Sequence, residues 1–94
     1  MAQFTVRIEL REAEREEYDV LYEEMELRGF TTTITSNDDT TYQLPDAEYN
    51  YEGTATRKEV LAMAKAAASE TGVDYSILVT QAAGRTWFNL KPPR

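Results

Sequence analysis

Residues Phe4-Thr5-Val6-Arg7-Ile8-Glu9-Leu10 alternate apolar and polar without a break. Successive side chains of an extended chain point to opposite faces, so Phe4, Val6, Ile8 and Leu10 share one face, and Thr5, Arg7 and Glu9 share the other. A strand of this kind buries one side and needs a covering layer. Two segments have the helical periodicity to provide it. From Arg11 to Arg28 the chain is rich in Glu, Tyr18, Leu21, Tyr22 and Met25 recur at the spacing of one helical face, and Gly29 supplies a stop. Further on, Thr56-Arg57-Lys58-Glu59 has the T-x-x-E pattern in which two residues reciprocally satisfy the free amides of a helix start. Val60, Leu61, Ala64, Ala67 and Ala68 form the narrow stripe of that second helix, and Gly72 ends it.

The rest of the chain reads as strands and turns. Phe30 to Thr35 is rich in β-branched residues and runs into the turn-formers Ser36-Asn37-Asp38-Asp39. Thr40 to Leu44 resumes the extended pattern, and Ala47 to Tyr51 continues it beyond Pro45. The larger apolar residues are even-numbered before the proline (Tyr42, Leu44) and odd-numbered after it (Tyr49, Tyr51), which predicts a bulge or break near Pro45-Asp46. Tyr75 to Thr80 reads as a mostly buried strand. After the Ala83-Gly84 turn, Arg85 to Leu90 is expected to add a short terminal strand before Lys91-Pro92-Pro93 blocks further pairing. The order is β-α-β-β-α-β, an α+β arrangement of the ferredoxin-like kind. It is expected to be an antiparallel four-stranded sheet with two helices on one face, as one domain over residues 1–94.

Composition restricts the chemistry. The 94 residues include neither Cys nor His, which removes disulfides, thiolate metal sites, cysteine nucleophiles, serine-histidine triads and histidine-based ribonuclease chemistry. Ten basic against seventeen acidic residues give a net charge of −7, which opposes nonspecific binding of polyanions but leaves room for a local cluster of arginines. The start Met1-Ala2-Gln3-Phe4 has no basic segment leading into an apolar one, and no apolar run is long enough to span a bilayer, so a cytoplasmic protein without membrane insertion is expected. No phosphate-binding glycine loop or metal-ligand motif occurs, and no cofactor is expected.

Four groups of residues bear on function, each with two readings. Arg7 and Glu9 project from one strand to the face that the helices leave open. They are either a site in which Arg7 binds phosphate and Glu9 acts as a base, or a solvent-exposed or dimer-facing salt bridge. Asn37-Asp38-Asp39 is either a divalent-metal loop or a hairpin turn. Arg85-Thr86-Trp87-Phe88, taken with Tyr42 and the other tyrosines, joins a cation to aromatics as in stacking platforms for single-stranded nucleic acid; the same aromatics also suit a core or a dimer interface. The acidic run from Glu12 to Glu26 is either a docking surface for a basic partner or the solvated side of a helix.

The segments Phe4 to Leu10, Thr41-Tyr42-Gln43-Leu44-Pro45 with Ala47-Glu48-Tyr49, and Ala83 to Leu90 together resemble the small bacterial family of GhoS-like antitoxins, across nearly the whole chain. The resemblance implies a ferredoxin-like domain similar to small CRISPR-associated proteins, and an antitoxin-type RNA-binding protein or sequence-selective endoribonuclease. It assigns no catalytic residue here. On the chemistry of the residues, Arg7 and Glu9 are the catalytic candidates, and Arg7, Arg85, Trp87 and Tyr42 the RNA-binding ones. Single-stranded mRNA and a second copy of the chain are the expected partners, and neither DNA nor a membrane is expected. The competing expectation is a noncatalytic homodimeric interaction domain.

Overall fold

In the computed structural model, which describes Met1–Arg94, the alternating segment forms the central strand β1 (Ala2–Leu10). It is followed by α1 (Arg15–Leu27), β2 (Thr33–Thr35), β3 (Thr41–Gln43), β4 (Glu48–Gly53), α2 (Arg57–Ser69) and β5 (Tyr75–Ala82). β1 pairs antiparallel with β4 on one side and β5 on the other, giving a three-stranded sheet in the order β4-β1-β5. Phe4, Val6, Ile8 and Leu10 are buried on one face of β1. They meet Leu21 and Met25 of α1, and Val60, Ala64, Ala67 and Ala68 of α2, in one apolar cluster that also holds Phe30 and Tyr49. Both helices therefore cover the same side of the sheet, and Gln3, Thr5, Arg7 and Glu9 lie on the uncovered side. No helix is long and apolar enough to cross a membrane.

The expected four-stranded sheet is only partly formed. β2 and β3 make a separate two-stranded sheet, tied to β4 by a single antiparallel bridge between Thr31 and Asn50, whose backbones exchange hydrogen bonds of 2.9 and 2.8 Å. The break at Pro45 explains why. β3 ends at Gln43, the chain turns with Glu48 N–H donating to the Pro45 carbonyl, and Ala47 takes a φ of +65°. Two short strands in different sheets replace one long strand, which is the physical basis of the shift from even to odd apolar positions.

The helix ends follow local rules. Thr56 Oγ1 accepts from Glu59 N–H while Glu59 accepts from Thr56 N–H, so the second helix starts where the T-x-x-E pattern places it. At the end of α1, Gly29 N–H donates to Glu26 and Phe30 N–H to Met25, the paired bonds of a left-handed cap that Gly29 closes with a φ of +88°. The start of α1 differs from the periodicity: Arg11 N–H still bonds the Asp74 carbonyl and Glu12 takes a φ of +52°, so the helix begins only at Arg15. On α2, Leu61 stays at the edge of the buried stripe, 36% exposed.

Arg85 to Leu90 does not form the expected terminal strand. The segment is held chiefly by side chains: Arg85 binds β1 and β4, and the Trp87 ring meets Tyr42 edge-on with centroids 5.6 Å apart. Only further along does its backbone engage, where Lys91 accepts from Gln43 N–H at 2.7 Å. Beyond β5 the chain thus straps across the open face of the sheet toward β3.

Candidate functional site

The open face is built from β1, β4, β5 and the strap. The register sets Gln3 opposite Glu52, Thr5 opposite Asn50 and Arg7 opposite Glu48, so these six side chains share a face with Glu9 and with Ser76, Leu78 and Thr80 of β5. Arg85 reaches onto it from the strap. Its Nη1 donates to Asn50 Oδ1 at 2.8 Å and to Thr5 Oγ1 at 3.2 Å, and its Nη2 donates to Gln3 Oε1 at 3.3 Å. All three acceptors are neutral, and Arg85 belongs to none of the ion pairs of the molecule. Partial burial holds its pKa below the usual arginine value, opposed by the negative charge of Glu52, and at so basic a group the cation persists. Beside it lies a polar cleft of about 320 Å³ lined by Thr31, Thr33, Thr35, Asn50 and Glu52.

The sequence-derived candidates fall on this face in part. Arg7 and Glu9 share it but do not pair with each other: Arg7 Nη1 lies 3.4 Å from Glu48 Oε2, and Glu9 Oε1 lies 3.9 Å from Arg11 Nε. Arg11 is also tied to Asp74 at 2.9 Å and to Ser76. Tyr42 and Trp87 form one partly exposed aromatic pair at the strap, and Phe88 next to it is 92% exposed. Arg85 and this pair stand two residues apart along the strap, while Arg7 lies one strand repeat beyond Thr5 on β1. The alternation in β1 identified Arg7 and Glu9, but Gln3, Thr5 and Asn50 escaped it as partners of Arg85, because only the β1–β4 register brings them together.

Asn37-Asp38-Asp39 forms a turn. Ser36 N–H donates to the Thr40 carbonyl at 2.8 Å, and Asp38 accepts from Ser36 Oγ and from Thr40 N–H. These bonds, that of Ser36 foremost, hold the Asp38 carboxyl below the usual carboxylate range. Nowhere do three Asp or Glu side chains converge in a way that would hold a metal ion. No protein-family model matches the chain, and no curated protein matches it.

Proposed function

We propose that the chain is a GhoS-like antitoxin domain of ferredoxin-like architecture that binds single-stranded RNA on its open sheet face. The observation that carries this reading is Arg85: a half-buried guanidinium fixed by three neutral oxygens and in no salt bridge, with Glu52 the nearby negative charge, at the edge of a polar cleft. A phosphate is a ligand that suits such a preorganised cation. The Tyr42–Trp87 pair and exposed Phe88 offer faces for unstacked bases. The ferredoxin-like assignment draws support from the antiparallel order β4-β1-β5 and from the Thr31–Asn50 bridge, which ties the chain just before β2 to β4. If RNA is cleaved, Glu9 accepts the proton of a 2′-hydroxyl as its oxygen bonds to phosphorus, and Arg7 or Arg85 stabilises the negative charge on the non-bridging phosphorane oxygens. The P–O5′ bond then breaks, with the 5′-oxygen taking a proton from solvent, to leave a 2′,3′-cyclic phosphate.

The test is binding and cleavage of a labelled single-stranded RNA pool at several salt concentrations, with and without Mg²⁺. Arg85→Gln is expected to weaken binding and to lower the slope of log K against log salt by about 0.7, the value for one phosphate contact on a single strand. Cleavage that persists unchanged in Arg7→Ala and Glu9→Ala refutes the catalytic assignment, and absence of binding at every salt refutes the RNA reading. A second reading, a noncatalytic homodimeric interaction domain, is favoured by β5. That strand is the outer strand of its sheet and carries Leu78, 64% exposed. Sedimentation of the parent and of Leu78→Lys decides it: a dimer that the substitution dissociates supports this reading.

A further inference from the structure

On the helix-bearing side of the molecule a cleft of about 940 Å³ opens between α1 and the segment that carries β2 and β3. Tyr18, Tyr22, Phe30 and Tyr49 contribute rings to its wall, and Asp19 and Glu26 line it from α1 together with Arg15. The Tyr22 and Tyr49 rings are tilted, with centroids 5.6 Å apart. Tyr49 is only 1% exposed, and its hydroxyl is buried without a hydrogen-bond partner, the one side-chain polar atom of the molecule in that state. Buried polar atoms nearly always find partners, so this hydroxyl requires an explanation. Asp46 stands at the rim, and there the chain's own Arg94 lies with Nη2 3.6 Å from Asp46 Oδ1.

We infer that this cleft receives an arginine side chain from a basic segment of a partner protein, with the guanidinium lying against the tyrosine rings, donating to Tyr49 Oη and neutralised by Asp19 and Glu26. Three features select this occupant. A guanidinium is planar, stacks on aromatic faces and is rich in donors, which suits a wall of rings with carboxylates at its edge. Arg94 shows the same pairing of guanidinium and carboxylate among the lining residues, and Tyr49 of that lining keeps an unpartnered oxygen. Finally, α1 carries six acidic residues against the single Arg15, a field that draws a basic segment in and turns a polynucleotide away.

The experiment is a titration of the full chain, followed by backbone amide resonances, with a capped peptide of alternating arginine and glycine. Matched peptides carry lysine or citrulline in place of arginine. The expected result is shifts confined to Tyr18 through Glu26 and around Tyr49, with arginine binding more tightly than lysine and at least tenfold more tightly than citrulline. Asp19→Asn combined with Glu26→Gln is expected to weaken binding about tenfold or more. Tyr49→Phe keeps the ring, and so the fold, and is expected to weaken binding several-fold. Equal affinity of the arginine and citrulline peptides, unchanged affinity in these variants, shifts elsewhere or no binding at millimolar peptide would each overturn the inference. So would a single-stranded RNA that shifts the α1 resonances. Loss of RNA binding in Arg85→Gln bears only on the open face, so the two proposals fail separately.

Discussion

Replacing Tyr49 by Phe removes one oxygen and leaves the ring against Tyr22 and the core. The tyrosine hydroxyl is buried with no hydrogen-bond partner among the protein's groups, which costs about 1–3 kcal/mol relative to a hydrated hydroxyl. Phenylalanine escapes that cost and leaves a gap smaller than a methyl group, so Tyr49→Phe is expected to stabilise the free protein by about 1 kcal/mol near neutral pH. The gain should also grow with alkali. Burial, aided by Tyr22 and Tyr18, pushes the Tyr49 hydroxyl well above its ordinary pKa of 10.0. Above pH 10 the unfolded chain releases this proton and the folded chain keeps it, so stability falls as pH rises. By pH 11 the loss reaches about 1.4 kcal/mol in the parent and is absent from the variant. Urea unfolding of both proteins at pH 7 and pH 11 measures the two effects together. A variant less stable than the parent at pH 7 would mean that the hydroxyl has a partner, and an equal difference at both pH values would mean that it ionises freely. Either result refutes the reasoning, and the first also removes the unpartnered hydroxyl on which arginine capture rests.

Other perturbations test the frame. Ala47 sits at a φ of +65°, a conformation that costs a non-glycine residue about 1–2 kcal/mol, so Ala47→Gly is expected to raise the urea midpoint slightly, the gain being trimmed by the added freedom of the unfolded chain. Thr56→Ala removes the hydroxyl that accepts from Glu59 N–H and should cost about 1 kcal/mol in the same assay. Two exposed carboxyls lie below their usual range, Asp74 because Arg11 donates to it and Glu59 because the Thr56 backbone N–H does. Their stabilisation is present at neutral pH, above the unfolded pKa of about 4, and is lost as pH falls through the lower folded values. Asp74→Asn should therefore flatten the acid limb of the stability profile, and an unchanged limb would show that the Arg11 contact does not persist in solution.

Those parts of the fold that depend on neighbours in sequence are legible from it. The one-faced strand β1, the T-x-x-E start of α2 and the glycine stop after α1 each rest on interactions within a few residues, and each occurs where the pattern places it. What depends on distant partners is not. Arg85 to Leu90 has the aromatic and β-branched content of a strand, but strand propensity measures fit to a neighbouring strand, and here β5 and the strap diverge so that Arg85 is anchored by Asn50 and Thr5 instead. The start of α1 shifted for the same reason, since Arg11 is claimed by Asp74 across the sheet. In the candidate site, alternation placed Arg7 and Glu9 on the open face, while their actual partners, Glu48 and Arg11, follow from register and proximity. Tyr49 reads in sequence as an apolar position of the strand after Pro45, and only packing reveals that its hydroxyl is buried without a partner.

Net charge is a poor guide to what such a molecule binds, because the charge is not spread evenly. α1, with six acids and one arginine, carries much of the −7. The molecule measures 39 × 28 × 19 Å, so even its shortest dimension exceeds the Debye length of about 8 Å at physiological salt. A ligand at the open sheet face is therefore screened from most of the α1 field and responds to what lies within reach: Arg7 paired with Glu48, Glu9 near Arg11, and Arg85, which joins no salt bridge but feels the charge of Glu52. At low salt the screening length grows to about 30 Å at 0.01 M, and the acidic helix is then felt across the whole protein. The RNA binding proposed for the open face should consequently weaken less steeply with added salt than its phosphate contacts alone would dictate, because screening also removes the repulsion from α1. A basic peptide at the α1 cleft has no such compensation, and its affinity should fall with salt throughout.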